Sequence, residues 1–175
     1  NDLILCNIAR HVKQKSIEVL LKALSLYKNE NNNVKLILVG EGPETYNLKK
    51  TSNKLNISKN IIWVKNYENI KDIFHLSDIF ILTSKYEGLG LVLLEAMASK
   101  KPIIASNISA IPEVVKNKYN GYLTKYGDYN KIKYFIDKIE NKKIRKKISI
   151  NGYKYLKQKF HLHKMFLETN KIYKS

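Results

Sequence analysis

The sequence predicts an α/β domain, a doubly wound and mostly parallel sheet followed by C-terminal helices. Short apolar runs rich in branched residues alternate with longer segments of helical spacing. The runs are apolar at nearly every position, as in strands covered on both faces. Helices on each side of the sheet, joined by right-handed crossovers, follow from that alternation.

Residues 3–9 (LILCNIA) form the first expected strand, and Ile17, Leu20, Leu21 and Leu24 recur at helical intervals after it. Residues 34–40 (VKLILVG) form the second strand and 44–55 the second helix. The third pair is IIWV at 61–64 with a short helix over 70–76, and the fourth is IFILT at 79–83 with a helix over 91–99. PIIAS at 102–106 is the fifth strand. Beyond Gly121 the pattern changes: YLTKYGD reads as a last short strand and turn, followed by basic helical segments over 130–141, 142 to about 160, and about 163–173.

Composition bounds the rest. With 175 residues, 44% of them hydrophobic, the chain fits one globular domain over 1–175. No apolar run approaches the ~18 residues of a membrane span. One cysteine excludes an intramolecular disulfide, and NDLILCNIAR lacks the features of a signal peptide, so the cytoplasm is the expected compartment. The chain starts at Asn1 with a hydrophobic run from Leu3, as a piece of a larger protein would. Its net charge of +17 suits nucleic acid, anionic lipid or phosphorylated ligands alike. Abundant lysine, asparagine, isoleucine and tyrosine are also what an AT-rich genome produces without selection for charge.

Ligands of such sheets lie beyond the carboxyl ends of the strands, which directs attention to the loops. In SKYEGLGLVLLEAMAS, Gly88 and Gly90 lead into a helix whose free N–H groups and dipole favour an anion, and both are expected to permit positive φ and close approach of a ligand. Glu87 stands before these glycines. Glu95, four residues after Leu91, shares its helix face and leans toward the loop. A carboxylate amid Leu, Ala and Met either reaches solvent or is held by hydrogen bonds, such as those from a ligand's hydroxyl groups. Two carboxylates around a phosphate cradle suit a ligand that is both anionic and rich in hydroxyls, as a nucleotide sugar is.

EGLGLVLLEAMA, Pro102 and IPEVVKNKYNGYL together resemble the C-terminal, donor-binding domain of the family-4 retaining glycosyltransferases of GT-B fold. ARHVKQKS is similar to that family's Gly-Arg-…-Lys-Gly loop, VGEGPE to its Gly-x-Gly-Pro turn, and Glu87 with Glu95 to its paired glutamates. The resemblance spans most of the chain and implies a Rossmann-like half of a GT-B enzyme. By the same resemblance Arg10 and Lys15 contact the donor diphosphate, and Gly88, Leu89, Gly90 and Leu91 offer backbone N–H groups to sugar and phosphates. Glu95 accepts from the ribose, and Glu87 is the catalytic residue beside the transferred sugar, orienting it or stabilising positive charge at its anomeric carbon. No cofactor and no metal are implied, the co-substrate being a nucleoside-diphosphate sugar. The acceptor domain is expected to precede this chain.

Ala9 and Ser16 replace the two glycines of the family's first loop, Lys100 the glycine after the helix, and Lys65 a frequent glycine in the loop that frames the base. His161 and His163 form a His-x-His pair without a supporting ligand cluster, and His75 reads as a packing or surface residue. His11 is a minor candidate for phosphate contact, and Cys6 reads as a small buried hydrophobe. KKIRKKISINGYKYLKQKF has the pattern of a basic amphipathic helix, suited either to packing on the domain or to an anionic membrane surface. Two rivals stay open at this point: a GT-B-like nucleotide-sugar epimerase, and a noncatalytic basic module for membrane or RNA. Aromatics in an RNA-binding pattern are absent, so no nucleic acid partner is expected.

Overall fold

The computed structural model describes residues 2–31, 33–65 and 68–160. β1 (Leu3–Ile8), β2 (Val34–Val39), β3 (Ile61–Val64), β4 (Ile79–Leu82), β5 (Ile103–Ser106) and β6 (Tyr122–Thr124) form one sheet in the order β3-β2-β1-β4-β5-β6. Every pairing among them is parallel, which is the doubly wound Rossmann-like arrangement. The order reverses between β1 and β4. That junction is the switch point at which the loops on the two sides part and leave a crevice.

Alternation along each strand divides the core in two. Leu5, Leu36, Leu38, Ile79 and Ile81 face a layer covered by α1 (Ile17–Glu30), α2 (Thr45–Lys54) and α6 (Tyr129–Glu140). Cys6, Ile37, Val39, Phe80 and Leu82 face the other, covered by α3 (Ile70–Leu76), α4 (Leu91–Ala98) and α5 (Ile111–Val114). In α1 the period-3.6 residues Ile17, Leu20, Leu21, Leu24 and Tyr27 are all buried. Each contributes about 1.5–3 kcal/mol of burial. α7 (Lys142–Lys159) serves both layers, Ile148 joining the first and Leu156 the second.

The strand limits lie within a residue of those expected. α5 and the 3-10 turns at Lys13–Lys15 and Ser58–Asn60 were not expected, because a single turn has no periodicity to display. The helix expected over 163–173, and the pair His161 and His163, lie outside the described residues. Among the described residues no helix is long and apolar enough to cross a membrane.

Candidate functional site

β1 and β4 are neighbours, so the loops at their carboxyl ends rise side by side. They are stitched together at four places. Lys85 N–H donates to the Gln14 carbonyl (2.7 Å), and the Gln14 side-chain amide donates to the Tyr86 carbonyl (3.0 Å). The Thr83 hydroxyl lies 3.1 and 3.0 Å from the carbonyls of Lys15 and Ser16. Lys15 Nζ meets Glu87 Oε1 at 2.6 Å. The last contact joins the two residues that the sequence marked for diphosphate and sugar.

Glu87 is held more firmly than its loop position suggested. Its side chain is only 9% exposed, and the same Oε1 also accepts from the buried Ser84 hydroxyl at 2.5 Å. Oε2 has no partner among the described residues. Ser84 is therefore a site residue that sequence reasoning missed. The signal was present: Thr83 and Ser84 are polar residues set directly against the end of an otherwise apolar strand.

Gly90 takes φ 68 and caps α4, as expected for a glycine that turns the chain into a helix. Gly88 is not at positive φ, which corrects the expectation for it. A Cβ there would meet nothing within 4 Å, so packing within the fold does not demand a glycine at this position. Leu89 and Leu91 are exposed, Leu91 at 67%, in the loop and first turn beside the glycines. Glu95 is exposed and has no side-chain partner among the described residues. Its carboxylate therefore keeps its full accepting capacity on the loop side of α4.

Arg10 is exposed after β1 and lines a separate recess of about 340 Å³ with Gly40, Lys65, Glu68 and Ile70, at the ends of β1, β2 and β3. Close packing of the first two loops shapes this recess: Gly40 N–H donates to Val64 (2.8 Å), and a Cβ on Gly40 would stand 2.2 Å from the Ala9 carbonyl oxygen. Arg10 and the Lys15–Glu87 pair thus occupy one loop but two adjoining places.

His11 is 1% exposed, which corrects the expectation of phosphate contact. Its Nδ1 lies 2.8 Å from Thr45 Oγ1, its ring meets Trp63 edge to face, and its Nε2 is buried without a partner among the described residues. Burial lowers its pKa from the ordinary value. Cys6 is buried as expected, and desolvation pushes its thiol up to about 12. Ser16, where the family has glycine, holds φ 46; its hydroxyl bonds with the Lys13 carbonyl (3.1 Å) and the Tyr126 hydroxyl (3.0 Å). Lys100 likewise takes φ 53, with Lys100 N–H on Met97 and Lys101 N–H on Ala96 closing the end of α4. Both positions need the conformation that glycine supplies most easily, and both hold it without glycine. Among the described residues no three of His, Cys, Asp and Glu converge to hold a metal.

Comparison with known proteins agrees with this geometry. The family model of glycosyl transferases group 1 matches residues 1–155. N-acetyl-alpha-D-glucosaminyl L-malate synthase of Bacillus anthracis is 34% identical over 128 residues, 73% of this chain and 33% of that protein. The capsular polysaccharide biosynthesis glycosyltransferase CapM of Staphylococcus aureus is 27% identical over 176 residues, 99% of this chain and 46% of that protein. The chain thus spans between a third and about half the length of these relatives. Among solved structures, the C-terminal domain of the group 1 glycosyl transferase LpcC from Francisella tularensis superposes with a TM-score of 0.83 at 27% identity, covering 91% of this chain and 87% of that one. Anabaena HepE, in complex with UDP-glucose, gives 0.91 at 22% identity, covering 99% of this chain and 49% of that one, a likeness of fold. Sheet order, motif order and the family match lead to one conclusion: the chain belongs to the group 1 glycosyltransferases and has the Rossmann-like fold of a C-terminal GT-B domain.

Proposed function

We propose that this chain binds the donor for an enzyme that moves a hexose-type sugar from a nucleoside diphosphate to a hydroxyl acceptor with retention. The observation that carries the reading is the Lys15–Glu87 pair, which joins motifs 72 residues apart at the switch point, beside the glycines that open α4. A cation for the diphosphate and a carboxylate for the sugar stand together there. HepE, which shares the fold, is in complex with UDP-glucose, and this supports a nucleotide sugar as ligand.

In this reading Arg10 and Lys15 receive the diphosphate, Arg10 with its fork of donors and Lys15 with a compact charge. Gly88, Leu89, Gly90 and Leu91 present backbone N–H groups to phosphate and sugar, and Glu95 accepts from the ribose hydroxyls. The recess beside Lys65 takes the base. During transfer the bond from the anomeric carbon to the β-phosphate oxygen breaks, its electron pair leaving with the diphosphate. The acceptor oxygen bonds to the same face of the sugar and gives up its proton to the departing diphosphate oxygen. Glu87 orients the sugar and stabilises the positive charge that develops at its anomeric carbon, while basic side chains and the amino end of α4 stabilise the leaving diphosphate without a metal. The acceptor site belongs to a preceding domain, so this chain binds donor with little or no transfer of its own. Similarity to CapM supports a place in surface polysaccharide synthesis; glycolipid synthesis and a cytoplasmic site are extensions of the same reading.

Calorimetry with UDP, GDP and ADP tests the proposal. Saturable one-to-one binding of one of them is expected. Failure of all three to bind folded protein would overturn it.

A further inference from the structure

We propose that the outer face of α7 is a docking surface for an anionic lipid bilayer, which it adsorbs to by charge rather than by inserting an apolar stripe. The apolar side of this helix is already used. Ile148 is buried, Leu156 packs on the second layer, and Gly152 sits where a Cβ would be 3.4 Å from Met97. What remains outward is a stripe of Lys143, Lys147, Ile150, Lys154 and Lys157, spaced four and three apart and therefore on one face. All five are exposed, with Lys146 beside them.

Three features separate this face from an ordinary solvated one. α7 contains no Asp or Glu in its 18 residues, whereas α1 has Glu18 and Glu30, and α6 has Asp137 and Glu140; α2 is also free of acids, but over only 10 residues. Genomic drift toward lysine raises the basic count everywhere but does not by itself clear acids from a helix of this length. Second, Lys143, Lys146, Lys147 and Lys154 have no carboxylate partner among the described residues, so their charge is available. Third, Ile150, 37% exposed, stands in the middle of the lysines. A bilayer rewards an apolar side chain at that place, and the phosphates of a nucleic acid do not.

The helix is also well placed for such a surface. Arg145 near its start pairs with Asp78 (3.0 Å) at the amino end of β4, and Tyr155 near its close donates to the Glu113 carbonyl (3.1 Å) on α5, which follows the carboxyl end of β5. α7 therefore runs alongside the strands for about 27 Å. A bilayer lying along it extends to the end of the sheet that carries the Lys15–Glu87 pair.

The test is co-sedimentation of the whole chain with phosphatidylcholine vesicles containing about a third phosphatidylglycerol, and with pure phosphatidylcholine. Binding to the anionic vesicles alone is expected, falling steeply as salt rises from about 0.05 to 0.5 M. Reversing Lys143, Lys147, Lys154 and Lys157 to Glu is expected to lower partition about a hundredfold or more, from roughly fivefold per lysine. The same reversal at Lys50, Lys54, Lys59 and Lys71, on and around α2 and α3, is expected to cost less than about tenfold. The single variants Lys147→Glu and Lys154→Glu, each lowering partition about fivefold, decide the matter if the quadruple variant does not fold. Ile150→Ser is expected to weaken vesicle binding about threefold and leave binding of poly(U) RNA unchanged. No binding to anionic vesicles, or equal loss from the two quadruple variants, would overturn the proposal. So would poly(U) binding that is tighter than vesicle binding and lost with the α7 lysines.

Discussion

The two ends of the same six strands hold different things. At the amino ends lies the larger cavity, about 1140 Å³, lined by Asp2, Glu30, Asp78, Glu140, Lys142 and Arg145 among others. At the carboxyl ends the recess is only about 340 Å³, yet beside it loops from β1 and β4 are joined by a backbone bond, side-chain bonds and an ion pair. Size favours the first and convergence the second. Part of the charge at the amino ends is already engaged: Arg145 is paired with Asp78, which also accepts the Ile4 N–H at 3.0 Å, and Glu30 is paired with Lys133. At the carboxyl ends Arg10, Glu95 and one oxygen of Glu87 have no partner among the described residues, and unspent hydrogen-bonding capacity is what a ligand requires.

Glycine substitutions sharpen the contrast within the carboxyl end itself. Gly40→Ala is expected to destabilise the fold by about 3 kcal/mol, since φ is 124 and the new Cβ would press on a backbone carbonyl. Gly88→Ala is expected to stay within about 0.5 kcal/mol in denaturant unfolding while weakening donor-sugar affinity about tenfold. Equal stability losses would remove the distinction between a structural and a ligand-facing glycine.

Charge removal compares the two ends directly. Lys15→Ala is expected to weaken nucleoside diphosphate binding by about 2 kcal/mol, roughly thirtyfold, in calorimetry. Glu87→Gln should leave that affinity unchanged or raise it, because the lysine no longer divides its charge. Arg145→Ala, at the amino end, is expected to cost less than about 1 kcal/mol of stability and nothing in nucleotide affinity. A loss of affinity from Arg145→Ala would place a ligand in the larger cavity instead.

The smallest expected effect is one of pH. The folded pKa of His11 is lowered by burial, so between that value and the ordinary ~6.5 the unfolded chain binds a proton that the folded chain does not. Stability supplied by neutral His11 is thus complete above ~6.5 and is lost as pH falls toward the lowered value. Melting temperature is expected to fall more between about pH 7.5 and 5.5 for the native chain than for His11→Gln. Equal slopes would show that the buried Nε2 is not what makes this end sensitive to acid.

Much of the fold was legible because its strands are covered on both faces and carry branched residues almost continuously. β4 and β5, buried at every position, were read to within a residue for this reason, while the edge strand β3, with Ile62 exposed, was read from its branched run alone. Strand order was not written in periodicity, and the adjacency of β1 and β4 is what brings Lys15 to Glu87. Chemistry could nominate both residues but could not pair them. Ser84 escaped notice because its partner is fixed by a tight local turn, not by spacing. The glycine replacements at Ser16 and Lys100 were visible as departures, but only the backbone shows that each keeps a left-handed φ. In α7 the amphipathic pattern was clear from sequence; which side the domain had already claimed was not.

The shared Glu87 oxygen has one more implication. The Lys15 ammonium and the Glu87 carboxylate already balance each other, so on the proposed reading a diphosphate meets no bare positive site; it competes for a cation that is already engaged. Affinity for any simple anion is thereby blunted. On the same reading, a ligand that also offers hydroxyls to the released acid recovers what the exchange costs, and by this means the pair would distinguish a loaded nucleotide from free phosphate.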